Sequence, residues 1–280
     1  MSVLTHAMHY GTSVFEGIRA YETARGARRC SACRSTAAGC WTRPRSSACH
    51  RIDGRGDRSR CGRDRPGQRP QSRATSGRCS GYGAESLGVN PTRNRVHFMV
   101  ATLPWGVYLG DEAVRKGAKL MTSSGAAAPA TSFPRSRRRG GNYVNSVLCQ
   151  PGSAGERVRR GAAAGQEGSS WKAPARTSSW CATACSTPSR TSVNLRGITR
   201  DSVVKIAQWM GTKVEPTMAT RDELYTADEV FMVGTAAEVT PVASLDRRPI
   251  GSGAAGPFAL EMRKVTSTWS PARFRSSSTG

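Results

Sequence analysis

Aliphatic side chains are nearly absent from two long stretches of this 280-residue chain. Residues 24–80 hold a single Val, Ile, Leu, Met or Phe, namely Ile52, and residues 151–194 hold two, Val158 and Val193. Lysine is missing from 24–80 altogether, yet the same stretch carries fifteen Arg and six of the nine Cys. Ordering a backbone costs about 1–2 kcal/mol per residue, which burial of apolar side chains normally offsets. Segments 24–80, 124–139, 151–194 and 265–280 are therefore expected to be poorly ordered. No run approaches the roughly 20 apolar residues of a membrane span. The N-terminus has no apolar stretch of the secretory type. A cytoplasmic protein is expected, with no membrane partner and no disulfide framework.

The formal net charge of +23 suggests an anionic partner until it is mapped. All but one of those charges fall in the four aliphatic-poor segments. A dedicated nucleic-acid protein carries basic residues on a structured face with aromatics for stacking. Here Arg is scattered among Ser, Gly, Ala and Pro, so no specific nucleic-acid partner is expected. A non-specific, salt-sensitive arginine-rich nucleic-acid binder stays open as a reading of a different class. Cys30 and Cys33 form a lone C-x-x-C, and Cys181 and Cys185 a looser pair with His50 as the nearest histidine to the first. A zinc site needs a second pair at compatible spacing, so no metal is expected.

The blocks 1–23, 81–123 and 195–264 have ordinary apolar patterning. Val96–Trp105 reads as a buried strand ending near Pro104, and Ala118–Thr122 as a second strand. Thr199–Met210 reads as a helix capped by Thr199, with Val203, Ile206, Ala207 and Met210 on one face and Gly211 as the stop. Lys213–Met218 suggests a short strand interrupted by Pro216. Glu229–Val233 is a strand that runs into Gly234-Thr235-Ala236-Ala237. The mixture indicates an α+β or α/β protein. Two junctions carry possible chemistry. Gly197-Ile198-Thr199 opens a helix, where free amides favour a phosphate. Gly234-Thr235-Ala236 leaves a strand with small residues, so an anion can approach its amides closely. Taken alone, each reads first as an ordinary cap or tight turn.

His9-Tyr10-Gly11-Thr12-Ser13-Val14-Phe15-Glu16-Gly17-Ile18-Arg19 resembles the N-terminal signature of the branched-chain amino-acid aminotransferases. The blocks 81–91, 104–110, 140–146, 197–203 and 223–242 resemble further motifs of that family in the same order. Together they span about half the chain. The resemblance implies pyridoxal 5′-phosphate enzymes of the D-amino-acid-transaminase-like α+β fold, fold type IV, in two domains. The implied division is a smaller N-terminal domain over 1–103, a connection over 104–112 and a larger cofactor-binding domain over 113–280. It implies transfer of an amino group from leucine, isoleucine or valine to 2-oxoglutarate, in a homodimer or larger homo-oligomer. By the same resemblance Tyr143 meets the phenolic oxygen of the cofactor. Gly197, Ile198, Thr199 and Thr235 bind its phosphate. The amides of Thr235 and Ala236 hold the substrate carboxylate, and Tyr10, Phe15, Gly17 and Tyr108 line the side-chain pocket. A D-amino-acid transaminase or aminodeoxychorismate lyase on the same fold is the neighbouring alternative.

One position departs from the pattern. The family has Lys-x-Gly-Gly-Asn-Tyr, and this chain has Arg138-Arg139-Gly140-Gly141-Asn142-Tyr143. The reaction needs a primary amine that bonds the cofactor and shuttles a proton. A guanidinium stays protonated and forms no imine. No catalytic residue is intact, and covalent attachment of the cofactor is not expected. The family's phosphate-binding arginine and its glutamate beneath the pyridine nitrogen are also missing. Back-translation accounts for all three. From the third nucleotide of Trp171, permitted codons spell EGSGENLFMVRDGVL, which resembles the glutamate motif. At the same offset 38–46 spells RLLDSAKI and 134–141 spells AKSKAGG, with the lysine codon across Arg137 and Arg138. The chain thus reads as the product of an aminotransferase gene carrying compensating insertions and deletions.

Overall fold

The computed structural model describes residues 2–22, 28–30, 74–106, 110–122, 138–148, 160–164, 171–173, 177–181, 186–188, 197–217 and 220–268. The chain opens with helix α1 (His6–Tyr10) and strand β1 (Val14–Glu22). Strands β2 (Arg28–Cys30), β3 (Ala74–Tyr82) and β4 (Val96–Pro104) join β1 in an antiparallel sheet of order β2-β1-β3-β4. Helix α2 (Asp111–Lys116) leads to β5 (Ala118–Thr122), and α3 (Tyr143–Leu148) follows the Gly140-Gly141 pair.

The second sheet adds β6 (Arg160–Ala164), β7 (Trp171–Ala173), β8 (Thr177–Cys181), β9 (Ser186–Pro188), β10 (Glu215–Thr217), β11 (Val230–Gly234), β12 (Glu238–Leu245) and β13 (Arg248–Pro249). Its order is β10-β9-β8-β11-β12-β5-β6-β7, with β13 on β12. Strand β7 also pairs β8, so β8, β11, β12, β5, β6 and β7 close into a ring. Helices α4 (Ile198–Trp209), α5 (Arg221–Thr226) and α6 (Pro257–Thr268) complete the described elements.

Strand β11 explains where the core sits. All five of its residues are buried, and successive side chains point to opposite faces. Val230 and Met232 enter a cluster with Leu120, Leu224, Val242, Leu245 and Ile250. Phe231 and Val233 enter another with Val203, Ile206 and Ala207 of α4, Val239 of β12, and Ala259 and Met262 of α6. A strand covered on both faces is a continuous apolar run, as VFMV is. The entry to α5 is fixed by a capping box: the Thr220 hydroxyl accepts from the Glu223 amide, and the Glu223 carboxylate accepts from the Thr220 amide.

The structure differs from the sequence reading in four places. Val96–Pro104 is a strand but not a buried one; Met99 is 58% and Val100 52% exposed. It is an edge of its sheet among the described residues, paired only to β3. Thr199 does not cap α4. Gly197 is the N-cap and Thr199 is already inside the helix, whose last residue is followed by Met210 and then Gly211 at φ +81°. Pro216 lies within the short strand β10. Strands also occur inside the aliphatic-poor segments, at β2, most of β3, and β6 to β9. A ladder is built from main-chain N–H and C=O groups and needs no aliphatic side chain when its neighbour is already held. Strand β3 runs between β1 and β4, and β8 lies against the fully buried β11. Residues 138–139 and, as the end of α6, 265–268 are also described; the remainder of those segments lies outside the described residues, as do Cys33, Cys185 and His50 of the cysteine pairs.

Candidate active site

Residues 138–141 are laid antiparallel along the start of β1. The Phe15 amide donates to the Arg138 carbonyl at 2.9 Å, and the Gly140 amide to the Ser13 carbonyl at 2.8 Å. The Gly141 amide donates to the Gly11 carbonyl at 3.1 Å. Gly11 has φ +61°, and a Cβ there would sit 2.8 Å from the Gly141 Cα, so this approach requires glycine. The Tyr143 amide donates to the Gly140 carbonyl at 2.9 Å and starts α3. Its ring meets Phe15 edge-on, with centroids 4.9 Å apart. Motifs at 9–19 and 138–143, far apart in the chain, are thereby brought to one place.

On β1, Phe15, Gly17 and Arg19 share a face by the period of two. A Cβ on Gly17 would lie 4.0 Å from the Thr235 methyl, which places the 235–237 turn over this face. The turn is a three-residue hairpin loop between Gly234 and Glu238, which pair across β11 and β12. Glu238, the residue that follows the loop, lies at φ +55°, in the left-handed region that favours glycine. Its carboxylate lies between Arg19 Nε at 3.3 Å and Arg263 Nη2 at 3.2 Å.

Arg138 is the residue at the position where the sequence pattern leads one to expect the amine. Its side chain is 9% exposed, and Nη1 lies 2.5 Å from Glu16 Oε1. Glu16 Oε1 also accepts from the Gly17 amide at 3.0 Å. The ion pair is close but poorly aligned, and Arg138 Nε finds no hydrogen-bond acceptor among the described residues. Burial pushes the Arg138 guanidinium below its ordinary range, and the charge and hydrogen bonding of Glu16 oppose the shift. Nothing in that arrangement yields a free amine.

The helix-opening junction lies at Gly197, Ile198 and Thr199, all half-buried. Among the described residues no side chain caps α4, the arrangement expected at an anion-binding helix start. Tyr10 lies on α1, 41% exposed, its ring 4.5 Å from that of the buried His6. Tyr108 lies outside the described residues, as does 38–46, where the phosphate arginine was expected. The structure therefore gathers Phe15, Gly17, Tyr143 and Thr235, and adds Glu16, Arg19 and Glu238, which the sequence reading did not single out. The signal for Arg19 was available: an arginine on the same strand face as Phe15 and Gly17, next to the buried Ile18.

Residues 180–245 match the family model described as amino-transferase class IV. This runs from the end of β8 through β12 and includes the helix opening and the 235–237 turn, so the fold and the family match define a class IV aminotransferase. The chain is 35% identical over 277 residues to the branched-chain-amino-acid aminotransferase of Escherichia coli (strain K12), covering 94% of this chain and 85% of that one. The chain belongs to the branched-chain-amino-acid aminotransferase family. Among solved structures it is similar to the T.th. branched-chain amino acid aminotransferase with pyridoxamine 5′-phosphate, at 42% identity and TM-score 0.77, covering 95% and 87% of the two chains. The same enzyme complexed with 4-methylvaleric acid gives 38% identity and TM-score 0.76, covering 95% and 86%. Enzymes of this family depend on pyridoxal phosphate. The residues present here do not fit a covalently attached one, because the buried group beside Glu16 is a guanidinium. Among the described residues no helix is long and apolar enough to cross a membrane.

Proposed function

We propose that this chain is a branched-chain amino-acid aminotransferase by descent that has lost its chemical step and kept the frame of its ligand site. The reaction of the intact form moves an amino group from leucine, isoleucine or valine to 2-oxoglutarate. The observation that carries the reading is Arg138, fixed by the Phe15–Arg138 backbone bond and ion-paired to Glu16, where an imine-forming amine is required.

In this reading Tyr143 faces the cofactor's phenolic oxygen, and Gly197, Ile198, Thr199 and Thr235 hold its phosphate. The Thr235 and Ala236 amides take the substrate carboxylate. Phe15, Gly17, Tyr10 and Tyr108 bound the aliphatic pocket. Residues 1–103 form the smaller lobe and 113–280 the larger, joined through 104–112. A cytoplasmic homodimer or larger homo-oligomer belongs to the same reading. The proximity of Gly17 to Thr235 and of Phe15 to Tyr143 supports the shared pocket.

The test is a borohydride-trapped adduct, read by peptide mass. The chain mixed with pyridoxal phosphate and reduced gives no adduct confined to one stoichiometric site. Arg138→Lys gains one, mapped to residue 138. A single stoichiometric adduct at another lysine of the unaltered chain contradicts the proposal.

A further inference from the structure

Arg19 is among the largest fully buried side chains, 1% exposed, in a strand with an otherwise apolar and small-residue face. A buried guanidinium is tolerated only where its donors and charge are matched. Its Nη1 donates to the Ala236 carbonyl at 3.3 Å. Its Nη2 donates to the Gly106 carbonyl at 2.9 Å and lies 3.5 Å from the Trp105 carbonyl. Its Nε faces Glu238. One planar group thus joins three segments far apart in the chain: β1, the 105–106 connector and the 235–238 turn.

Each partner is one that needs holding. Glu238 sits in the left-handed region without being glycine, a conformation that L side chains rarely adopt. It persists where surrounding contacts over-determine it. Arg19 and Arg263 flank its carboxylate, and Arg263 Nη1 also donates to the Val239 carbonyl at 2.9 Å. The Thr240 hydroxyl donates to the Ala237 carbonyl at 2.7 Å and closes the turn from the other side. The Ala236 carbonyl is drawn toward Arg19. Peptide planarity couples that pull to the Ala237 amide alone, and the rest of the turn is held through the Glu238 contacts at its end.

We infer that Arg19 is a positioning residue that locks the 235–237 turn and the 105–106 connector into one register and so aims the turn's amides at a ligand carboxylate. The lock is observed geometry; its use for a carboxylate rests on the proposed function. Lysine at this position retains a charge for Glu238 but has a single compact ammonium and no planar fork to reach Ala236 and Gly106 together.

The experiment is hydrogen–deuterium exchange on the full chain, parent against Arg19→Lys. Amides of 235–238 and of 105–106 exchange roughly tenfold faster in the variant, while β11 and α4 keep their protection. Unchanged exchange in both regions, or a uniform rise across the chain, overturns the inference. If Arg19→Lys does not fold, Glu238→Gln decides. It leaves the Arg19–Gly106 bond in place, so 235–238 loosens and 105–106 does not; any other pattern overturns the lock. Titration with 4-methylvaleric acid and its carboxamide tests the use. The preference for the carboxylate falls about tenfold in Arg19→Lys, whereas a general loss of packing weakens both probes together and counts against positioning. A parent chain that binds neither probe removes the carboxylate reading, and the exchange pattern still decides the lock.

Discussion

Glu16→Gln is the most informative perturbation of the site's electrostatics. It leaves the Arg138 guanidinium, 9% exposed, beside a neutral amide in place of its counter-charge. Removing one partner of a buried pair costs about 3–5 kcal/mol. Glu16 retains 22% exposure, which lets water screen part of the loss, so about 2–3 kcal/mol is expected. Arg138→Met removes the charge and its desolvation penalty together and should cost less than Glu16→Gln. The double variant Glu16→Gln/Arg138→Met should recover most of the first loss. Urea unfolding of all four proteins closes the cycle, with a coupling of about 2 kcal/mol between the sites. Additive single losses would refute the reasoning, because they would mean the pair is not the environment that holds Arg138.

Phe231→Ala opens the core under α4 and α6 and should cost about 3–5 kcal/mol in the same assay. Asp246 accepts from the Thr122 amide and hydroxyl, each at 2.5 Å, and from the Tyr225 hydroxyl at 2.6 Å. Burial alone raises its carboxyl, but the Thr122 and Tyr225 hydrogen bonds, with Arg221 nearby, outweigh it and hold the group below its ordinary 3.8. The native state then binds fewer protons than the unfolded chain, so this stability is complete above the ordinary carboxylate range and is lost as pH falls through the lowered value. Asp246→Asn should flatten the acid limb of a stability profile measured from neutral pH downward. At the alkaline end burial, the Asp246 hydrogen bond and the Asp246 charge raise Tyr225 above 10.0, against Arg221 and Arg248. The stability tied to the protonated phenol is present below 10.0 and is lost as pH rises through the raised value, and Tyr225→Phe removes that loss.

How far the fold was legible depended on which chain segments carried their own reasons. VFMV in 229–233 and the apolar face of 203–210 announce a strand and a helix, and both are found, packed on one another. Val96–Pro104 announces a strand equally well, but apolar content could not tell an edge from an interior position. The strands at 160–164 and 177–181 were invisible, since their ladder partners, not their side chains, place them. In the site, Arg138 was readable from its spacing to Gly140-Gly141 and Tyr143. Glu16 as its counter-charge was not, because the pair forms only after residues 138–141 lie along β1. Arg19 could be placed on the strand face of Phe15 and Gly17, but its acceptors could not be read, since they are carbonyls of Gly106 and Ala236 and main-chain groups carry no sequence signal.

The proposed loss of chemistry stands on the want of a reactive amine beside Tyr143. Its most direct test is glutamate formation from leucine and 2-oxoglutarate by the purified chain in the presence of pyridoxal phosphate, with the polypeptide verified by intact mass. No glutamate above that formed by free cofactor is the expected result. Enzyme-dependent turnover by a polypeptide carrying arginine at 138 would contradict it.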